Sequence, residues 1–203
     1  MQQIEPLYFG KYYHIYNRGI NSCNLFNEPA NYEYFLGLYD KHISPIADTY
    51  AWVLMKNHFH LLVRIKAETE TISPDRVPNP VRALDPSKHF PNLFNAYAQA
   101  FNKMYGRHGA LFERPFDRIE ITDKQYFKTL VIYIHNNPVH HKFTEHAMDY
   151  PWSSYLTCIS IKPTHLQRDS VIGWFDGEAN FKVAHDNNNG NIDIEAWLGF
   201  EKI

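Results

Sequence analysis

The sequence predicts an α+β fold. The expected arrangement is a ferredoxin-like (RRM-like) split βαβ with a central antiparallel sheet, a helix after the fourth strand and a C-terminal helical extension. Two observations predict it. The hydrophobic periodicities occur in the order β-α-β-β-α-β and are followed by one more helix. The 203 residues are 44% hydrophobic and 21% charged, a globular composition in a chain long enough to bury a core without disulfides.

The first part of the chain contains three predicted strands and one helix. The aromatic, β-prone run 11–17 predicts the first strand. Residues 31–42 have apolar side chains at helical spacing, which predicts the first helix. The apolar runs 49–55 and 58–65 are separated by two polar residues, which predicts a hairpin of two well-buried strands.

The second part begins with a segment rich in proline. Residues 67–92 contain five of the twelve prolines and have no hydrophobic period, which predicts a long loop. An aromatic stripe over 93–105 predicts the second helix, and 116–121 alternate as a short fourth strand. The next helix is predicted to run from 123 to about 136 and to stop before Pro138, because the residue preceding a proline disfavours helical backbone.

The pattern weakens towards the C-terminal end, with no repeat and no second core. We expect residues 1–155 to form the main domain, including the proline-rich loop, and residues 156–203 to be an extension packed on it. Aromatic side chains among Asp and Asn predict short helices there: Trp174, Phe175, Phe181 and Trp197.

The composition argues against several protein classes. No run of about 18 apolar residues occurs, so no membrane span is predicted. Cys23 and Cys158 are the two cysteines and form no Cys-x-x-Cys pair, which excludes a cysteine zinc site and fits a reducing compartment. We therefore expect a cytoplasmic protein.

The formal net charge of −2 hides a basic middle. Residues 51–142 hold 13 Lys and Arg against 8 Asp and Glu, together with seven of the twelve histidines. Such a region could attract a polyanion, although an ordinary solvated surface gives the same count. Charge alone does not establish nucleic-acid binding.

His58 and His60 stand two residues apart in the third predicted strand. Side chains at i and i+2 of a strand share one face, so the two imidazoles can reach one metal ion. The alternative is that two ring-shaped side chains simply alternate along the strand. Because the next three residues are apolar, both imidazoles are expected to be buried and to need a hydrogen-bond partner or a ligand.

Tyr133 and Asn137 form a second candidate pair. They stand at i and i+4, on one face of the predicted helix, and can share one site. Taken alone, Tyr133 is an ordinary ring on an amphipathic helix and Asn137 before Pro138 is an ordinary helix terminator. Their combination with the two histidines carries the interpretation.

Seven short motifs between residues 12 and 155 occur in an order that is typical of one family. They are Tyr13-His14, Asn17-Arg18-Gly19, Leu25-Phe26, Met55 to Val63, Gly109 with Phe112 and Phe116, Tyr133 to Pro138, and Trp152-Ser153-Ser154-Tyr155. With these motifs the chain resembles the IS200/IS605-like transposases, the single-tyrosine (Y1) branch of the HUH nucleases. It resembles the REP-associated tyrosine transposases more closely still.

This resemblance implies a metal-dependent endonuclease and strand transferase acting on single-stranded or hairpin-forming DNA. It implies that His58 and His60 are the metal pair, that Tyr133 is the nucleophile and that Asn137 is the third ligand. The ion would be Mg²⁺ or Mn²⁺, and the protein a nucleoid-associated monomer or homodimer. The segment 67–92 and the extension are additions to the family's minimal domain.

Two other function classes remain open. One is a catalytically inactive module that binds single-stranded nucleic acid, because ferredoxin-like sheets also present aromatic side chains to bases. The other is a metal hydrolase that activates water and needs no tyrosine. If DNA is bound, phosphate contacts are expected from these basic residues: Arg18, Lys103, Arg107, Arg114 and Arg118.

Overall fold

The structure is a computed structural model that describes residues 5–71, 85–123 and 125–187. Four strands form one sheet in the spatial order β2-β3-β1-β4, and every neighbouring pair is antiparallel. This confirms the predicted α+β fold with a central antiparallel sheet. The strands are β1 (Tyr12–Arg18), β2 (Ala47–Leu54), β3 (His58–Ile65) and β4 (Asp117–Ile121).

Seven α-helices lie within the described residues. The short α5, α6 and α7 follow the last strand and its helix, as the pattern of the extension predicted. The helices are α1 (Pro29–His42), α2 (Glu68–Thr71), α3 (His89–Met104), α4 (Gln125–His140), α5 (Tyr155–Cys158), α6 (Arg168–Trp174) and α7 (Glu178–Asn187).

Helices cover both faces of the sheet. On one face α1 and α3 pack over an aromatic core in which Phe35, Phe59 and Tyr97 are fully buried. On the opposite face α4 packs against the sheet through residues such as Val131, with α6 and α7 behind it. The β1–β3 register places Tyr16 opposite His60 on this second face.

The edge strand β2 is covered by the chain that follows α4. The backbone N–H of Leu54 donates to the Trp152 carbonyl at 2.9 Å, and the N–H of Ser154 donates to the Trp52 carbonyl at 2.9 Å. Gln167 N–H donates to the Thr49 carbonyl at 2.8 Å. These bonds satisfy backbone groups that an edge strand otherwise leaves unpaired.

Two predicted boundaries were wrong, both because of proline. Helix α3 begins at His89, inside the predicted loop, because Pro91 lies in the first turn, where a helix needs no proline N–H. Helix α4 continues past Pro138 to His140, since a proline so near the helix end removes only one hydrogen bond. Beyond the helix end at His140, the left-handed φ of 59° at Lys142 lets the following amide bond back to the Pro138 carbonyl at 2.8 Å.

The predicted loop 67–92 is also interrupted by α2, and its residues 72–84 lie outside the described residues. Trp197 and the rest of 188–203 lie outside them as well. Cys23 and Cys158 are both free. None of the described helices combines the length and the apolar character needed to cross a bilayer.

Candidate active site

The structure brings the two predicted residue pairs together between β3 and α4. His58 Nε2 lies 2.9 Å from Asn137 Oδ1. The Tyr133 ring stands nearly perpendicular to the His60 ring, with centroids 5.4 Å apart and planes 75° apart. The continuation of α4 through Pro138 makes this possible, because it keeps Asn137 one helical turn from Tyr133.

The His58 imidazole is oriented by its neighbour in the β2–β3 turn. Its Nδ1 lies 2.8 Å from Asn57 Oδ1 and its Nε2 lies 2.9 Å from Asn137 Oδ1, so the single N–H of the neutral ring can donate to one of the two oxygens. In the tautomer protonated at Nδ1, Nε2 carries a lone pair and faces the Asn137 oxygen, which is also an acceptor. Burial lowers the pKa of His58 to about 4, so near neutral pH the ring carries no second proton that could bridge Nε2 and the Asn137 oxygen.

The His60 imidazole is bonded to a second histidine. Its Nδ1 lies 3.0 Å from Nε2 of the fully buried His14 on β1. Burial lowers the pKa of His60 well below its usual value and that of His14 to about 3, so both rings are neutral. The bond to His14 leaves Nε2 as the nitrogen of His60 that can bind an ion.

This donor set fits a divalent ion. Among the described residues no group of three His, Cys, Asp or Glu side chains could hold a metal, so a three-residue site here would have to include an oxygen such as that of the Asn137 amide. Two imidazole nitrogens and one amide oxygen suit Mn²⁺ and are compatible with Mg²⁺. Metal binding by His58 and Asn137 would favour the Nδ1–H tautomer of His58, in which the lone pair of Nε2 is available as a ligand.

Two side chains of the site were missed by the sequence reasoning. His14 supports His60, and Asn57 supports His58. The alternation of β1 puts His14 on one face of its strand, but only the register against β3 brings it to His60. Asn57 was assigned to the turn between the strands and given no other role.

The site opens at one end of the sheet. Tyr133, His60 and Asn137 are at most 5% exposed, whereas His58 is partly exposed. Arg18 lies opposite His58 in the β1–β3 register.

The exposed His141 also lies at this opening, with its ring 5.0 Å from that of His58. A ligand would therefore reach the buried residues past His58.

Of the five predicted phosphate-binding residues, Arg18 alone is placed next to this opening, where it forms an ion pair with Glu113 at 2.8 Å. Arg114 and Arg118 line a groove of about 530 Å³ between α3 and β4. The Arg118 guanidinium stacks on Phe116 at 3.8 Å.

The remaining two lie near the C-terminal end of α3. Lys103 is exposed in its last turn, and Arg107 donates to Asn102 at 3.4 Å. Glu113, which pairs with Arg18, also lines the groove, so the site opening and the groove adjoin, whereas Lys103 and Arg107 lie at the end of α3.

Comparisons with known proteins add evidence on the fold. No protein-family model matches this sequence, and no curated protein matches it. The structure is similar to a solved structure of a REP-associated tyrosine transposase bound to a REP hairpin, with a TM-score of 0.58. The match covers 80% of this chain and 88% of that chain at 13% sequence identity. At this identity the similarity shows a shared fold.

Proposed function

We propose that this chain is a metal-dependent strand transferase of single-stranded, hairpin-forming DNA that acts through a phosphotyrosine at Tyr133. The observation that carries the proposal is the convergence of a phenol, two neutral imidazoles and an amide oxygen at one partly open site. The fold shared with a hairpin-bound tyrosine transposase supports the choice of substrate.

The chemical roles follow from the residue types. A divalent ion bound by His58, His60 and Asn137 would polarise the scissile phosphate and make its phosphorus more electrophilic. A phenol is largely protonated at neutral pH and needs this help to act as a nucleophile. Asn57 and His14 hold the two imidazoles with Nε2 turned towards the site.

The bond changes balance without an external energy source. The Tyr133 oxygen bonds to phosphorus while the bond from phosphorus to the 3′ oxygen breaks, and the departing 3′ hydroxyl gains the proton that the phenol loses. The 5′ polarity is what the family resemblance implies. Because one phosphodiester replaces another, a second 3′ hydroxyl can displace Tyr133 and complete strand transfer.

The burial of the site favours a flexible strand as substrate. Tyr133 is buried between α4 and the sheet. A phosphate in a base-paired helix cannot readily enter this cleft in line with the phenol, whereas a single strand can bend into it. Base stacking on the sheet face beneath α1 and α3 is blocked, because Tyr13 and Phe59 are buried there under those helices.

The test uses a panel of hairpin oligonucleotides labelled at the 5′ or the 3′ end and incubated with the protein and Mg²⁺ or Mn²⁺. Denaturing electrophoresis should reveal a covalent adduct that retains the strand on the 3′ side of the cut. Tyr133→Phe should abolish this adduct. Tyr16→Phe, which changes a second tyrosine ring 5.8 Å from His60, should still form it.

Each other outcome identifies a competing function. Cleavage by Tyr133→Phe without an adduct would indicate a metal hydrolase. Hairpin binding with no cleavage in either metal would indicate an inactive binding module. An adduct lost in Tyr16→Phe and kept in Tyr133→Phe would move the nucleophile to β1.

A further inference from the structure

A second buried polar chain lies on the side of α4 away from the sheet histidines. His135 Nδ1 lies 2.9 Å from His185 Nε2 on α7, and His135 Nε2 lies 2.7 Å from the Ser154 hydroxyl. All three side chains are buried. Ser154 belongs to the segment that pairs with β2, so the chain of bonds ties α4 both to the C-terminal helix and to the sheet edge.

The direction of every bond in this chain is determined. His185 Nδ1 lies 2.7 Å from the Phe181 carbonyl, which can only accept, so Nδ1 carries the proton. His185 Nε2 must then accept from His135 Nδ1. His135 Nε2 in turn accepts from the Ser154 hydroxyl at 2.7 Å, a shorter distance than the 3.3 Å from that hydroxyl to the Trp52 carbonyl, and the Ser154 oxygen accepts the Trp52 N–H at 2.8 Å.

This chain acts on the part of α4 that carries the proposed site. His135 is two residues from Tyr133 and two from Asn137, which places it about 200° around the helix from each. A second bond to α7, from Asn136 Nδ2 to the His185 carbonyl at 3.0 Å, lies on the next residue. Any rotation of α4 that moved Tyr133 would break directional bonds on the opposite side.

We infer that His135, Ser154 and His185 are positioning residues that fix the rotation of α4, and so hold Tyr133 and Asn137 against His60 and His58. This inference rests on the proposed function for its effect on catalysis. It also means that α7, through His185, helps to position the residues of the proposed site. Apolar packing alone would tolerate small rotations, whereas buried hydrogen bonds do not.

The test compares two adjacent serines. Ser154→Ala removes the donor to His135 together with the acceptor for the Trp52 N–H, whereas Ser153→Ala removes a hydroxyl that, within the described residues, hydrogen-bonds to Tyr150 and Tyr155. In folded protein, Ser154→Ala should slow adduct formation about ten- to a hundred-fold and leave hairpin affinity unchanged. Ser153→Ala should change neither quantity.

A second pair of variants covers the case in which Ser154→Ala does not fold. His185→Leu removes the acceptor for His135, whereas His185→Gln places an amide oxygen near the position of Nε2. The leucine variant should lose adduct formation, and the glutamine variant should recover most of it. Equal rates in the two variants would overturn the inference.

A readout without DNA separates this inference from the proposed function. ¹⁵N NMR should show the Nδ1–H tautomer at both His135 and His185, and α4 amides should exchange faster in Ser154→Ala than in Ser153→Ala. The opposite tautomer, or equal exchange in the two variants, would overturn the positioning role. If the parent protein forms no adduct with any hairpin while these results hold, the proposed function fails and the fixed orientation of α4 stands.

Discussion

Two buried histidine pairs flank α4, and they differ in how completely they are bonded. His14 and His60 are joined at 3.0 Å, and His135 and His185 at 2.9 Å. The second pair ends on a serine hydroxyl and a carbonyl, so every ring nitrogen has a partner. In the first pair, His14 Nδ1 is one of two buried side-chain polar atoms without a hydrogen-bond partner in the described part of the chain, the other being in Thr144.

This difference suggests a structural role for the His135–His185 pair and a place at the reacting site for the His14–His60 pair. Buried polar groups in folded proteins are nearly always paired, and exceptions call for a specific reason. The complete pair needs nothing further and links α4 to α7. The incomplete pair adjoins His58 and Asn137, whose nitrogen and amide oxygen lie 2.9 Å apart and could together hold an ion.

The largest expected effect is on catalysis at the site that contains His58 and the incompletely bonded His14–His60 pair. His58→Ala and His60→Ala should each lower metal-dependent adduct formation by more than about a hundred-fold, because each removes a ligand nitrogen. His141→Ala is the matched control, since this exposed ring lies 5.0 Å from His58 and is given no ligand role. Rates in limiting Mn²⁺ that match the parent in both ligand variants would contradict the metal site.

For stability the expected order is reversed: losing a histidine of the completely bonded pair should cost more unfolding free energy than losing one of the incompletely bonded pair. His135→Leu leaves His185 Nε2 without its donor and leaves the Ser154 hydroxyl the longer 3.3 Å bond to the Trp52 carbonyl, and should cost about 2–3 kcal/mol of unfolding free energy. His14→Leu strands one atom, on His60, while removing a nitrogen that is already unpaired, and should cost about 1 kcal/mol. Urea unfolding without metal measures both, and an equal or reversed order would contradict the comparison.

The pH dependence of the unfolding free energy reports on one histidine of each pair. The pKa of His14 is lowered to about 3 and that of His185 to about 4, both by burial. The unfolded chain, with imidazole pKa values near 6.5, therefore binds protons that the folded chain does not. Each group contributes stability that is fully present above about pH 6.5 and is lost as pH falls towards the folded value.

Between pH 6.5 and pH 5 this loss should reach about 2 kcal/mol for each of the two histidines. Urea unfolding at pH 7.5 and pH 5.0 checks the sign. Replacing His185 by Gln should make the decline shallower. Stability that rises on acidification would contradict the burial of these rings as neutral imidazoles.

The smallest effect concerns the basic residues. Arg18 lies beside the opening near His58, whereas Lys103 lies on the far side of the sheet at the end of α3. If Arg18 contacts a phosphate, Arg18→Gln should lower the salt slope of hairpin binding by about one. Lys103→Gln provides the comparison. The salt slopes of Arg114→Gln and Arg118→Gln test whether the groove contacts phosphate.

Much of the fold and the central four residues could be predicted from the sequence. The period of two in β3 put His58 and His60 on one face, and the period of α4 put Tyr133 beside Asn137. These signals are local, since neighbours two to four residues apart define them. The sequence resemblance then joined the two pairs into one hypothesis.

The supporting residues could not be found in this way because they depend on distant parts of the chain. His14 meets His60 through the β1–β3 register, and His185 meets His135 across 50 residues. The α7 segment also has a weak hydrophobic pattern, which predicts a short helix but not the side chain it presents to α4. The extent of α4 beyond Pro138 was missed because proline normally marks a helix end.

The most direct test of the account is to locate the covalent bond itself. After reaction with a hairpin oligonucleotide and Mn²⁺, nuclease and trypsin digestion should leave a nucleotide phosphate on the peptide 129–142, in which Tyr133 is the single tyrosine. Tandem mass spectrometry would assign it. A modified Tyr133 is the predicted result, whereas a nucleotide on the peptide 12–18, or cut DNA with both peptides unmodified, would contradict it.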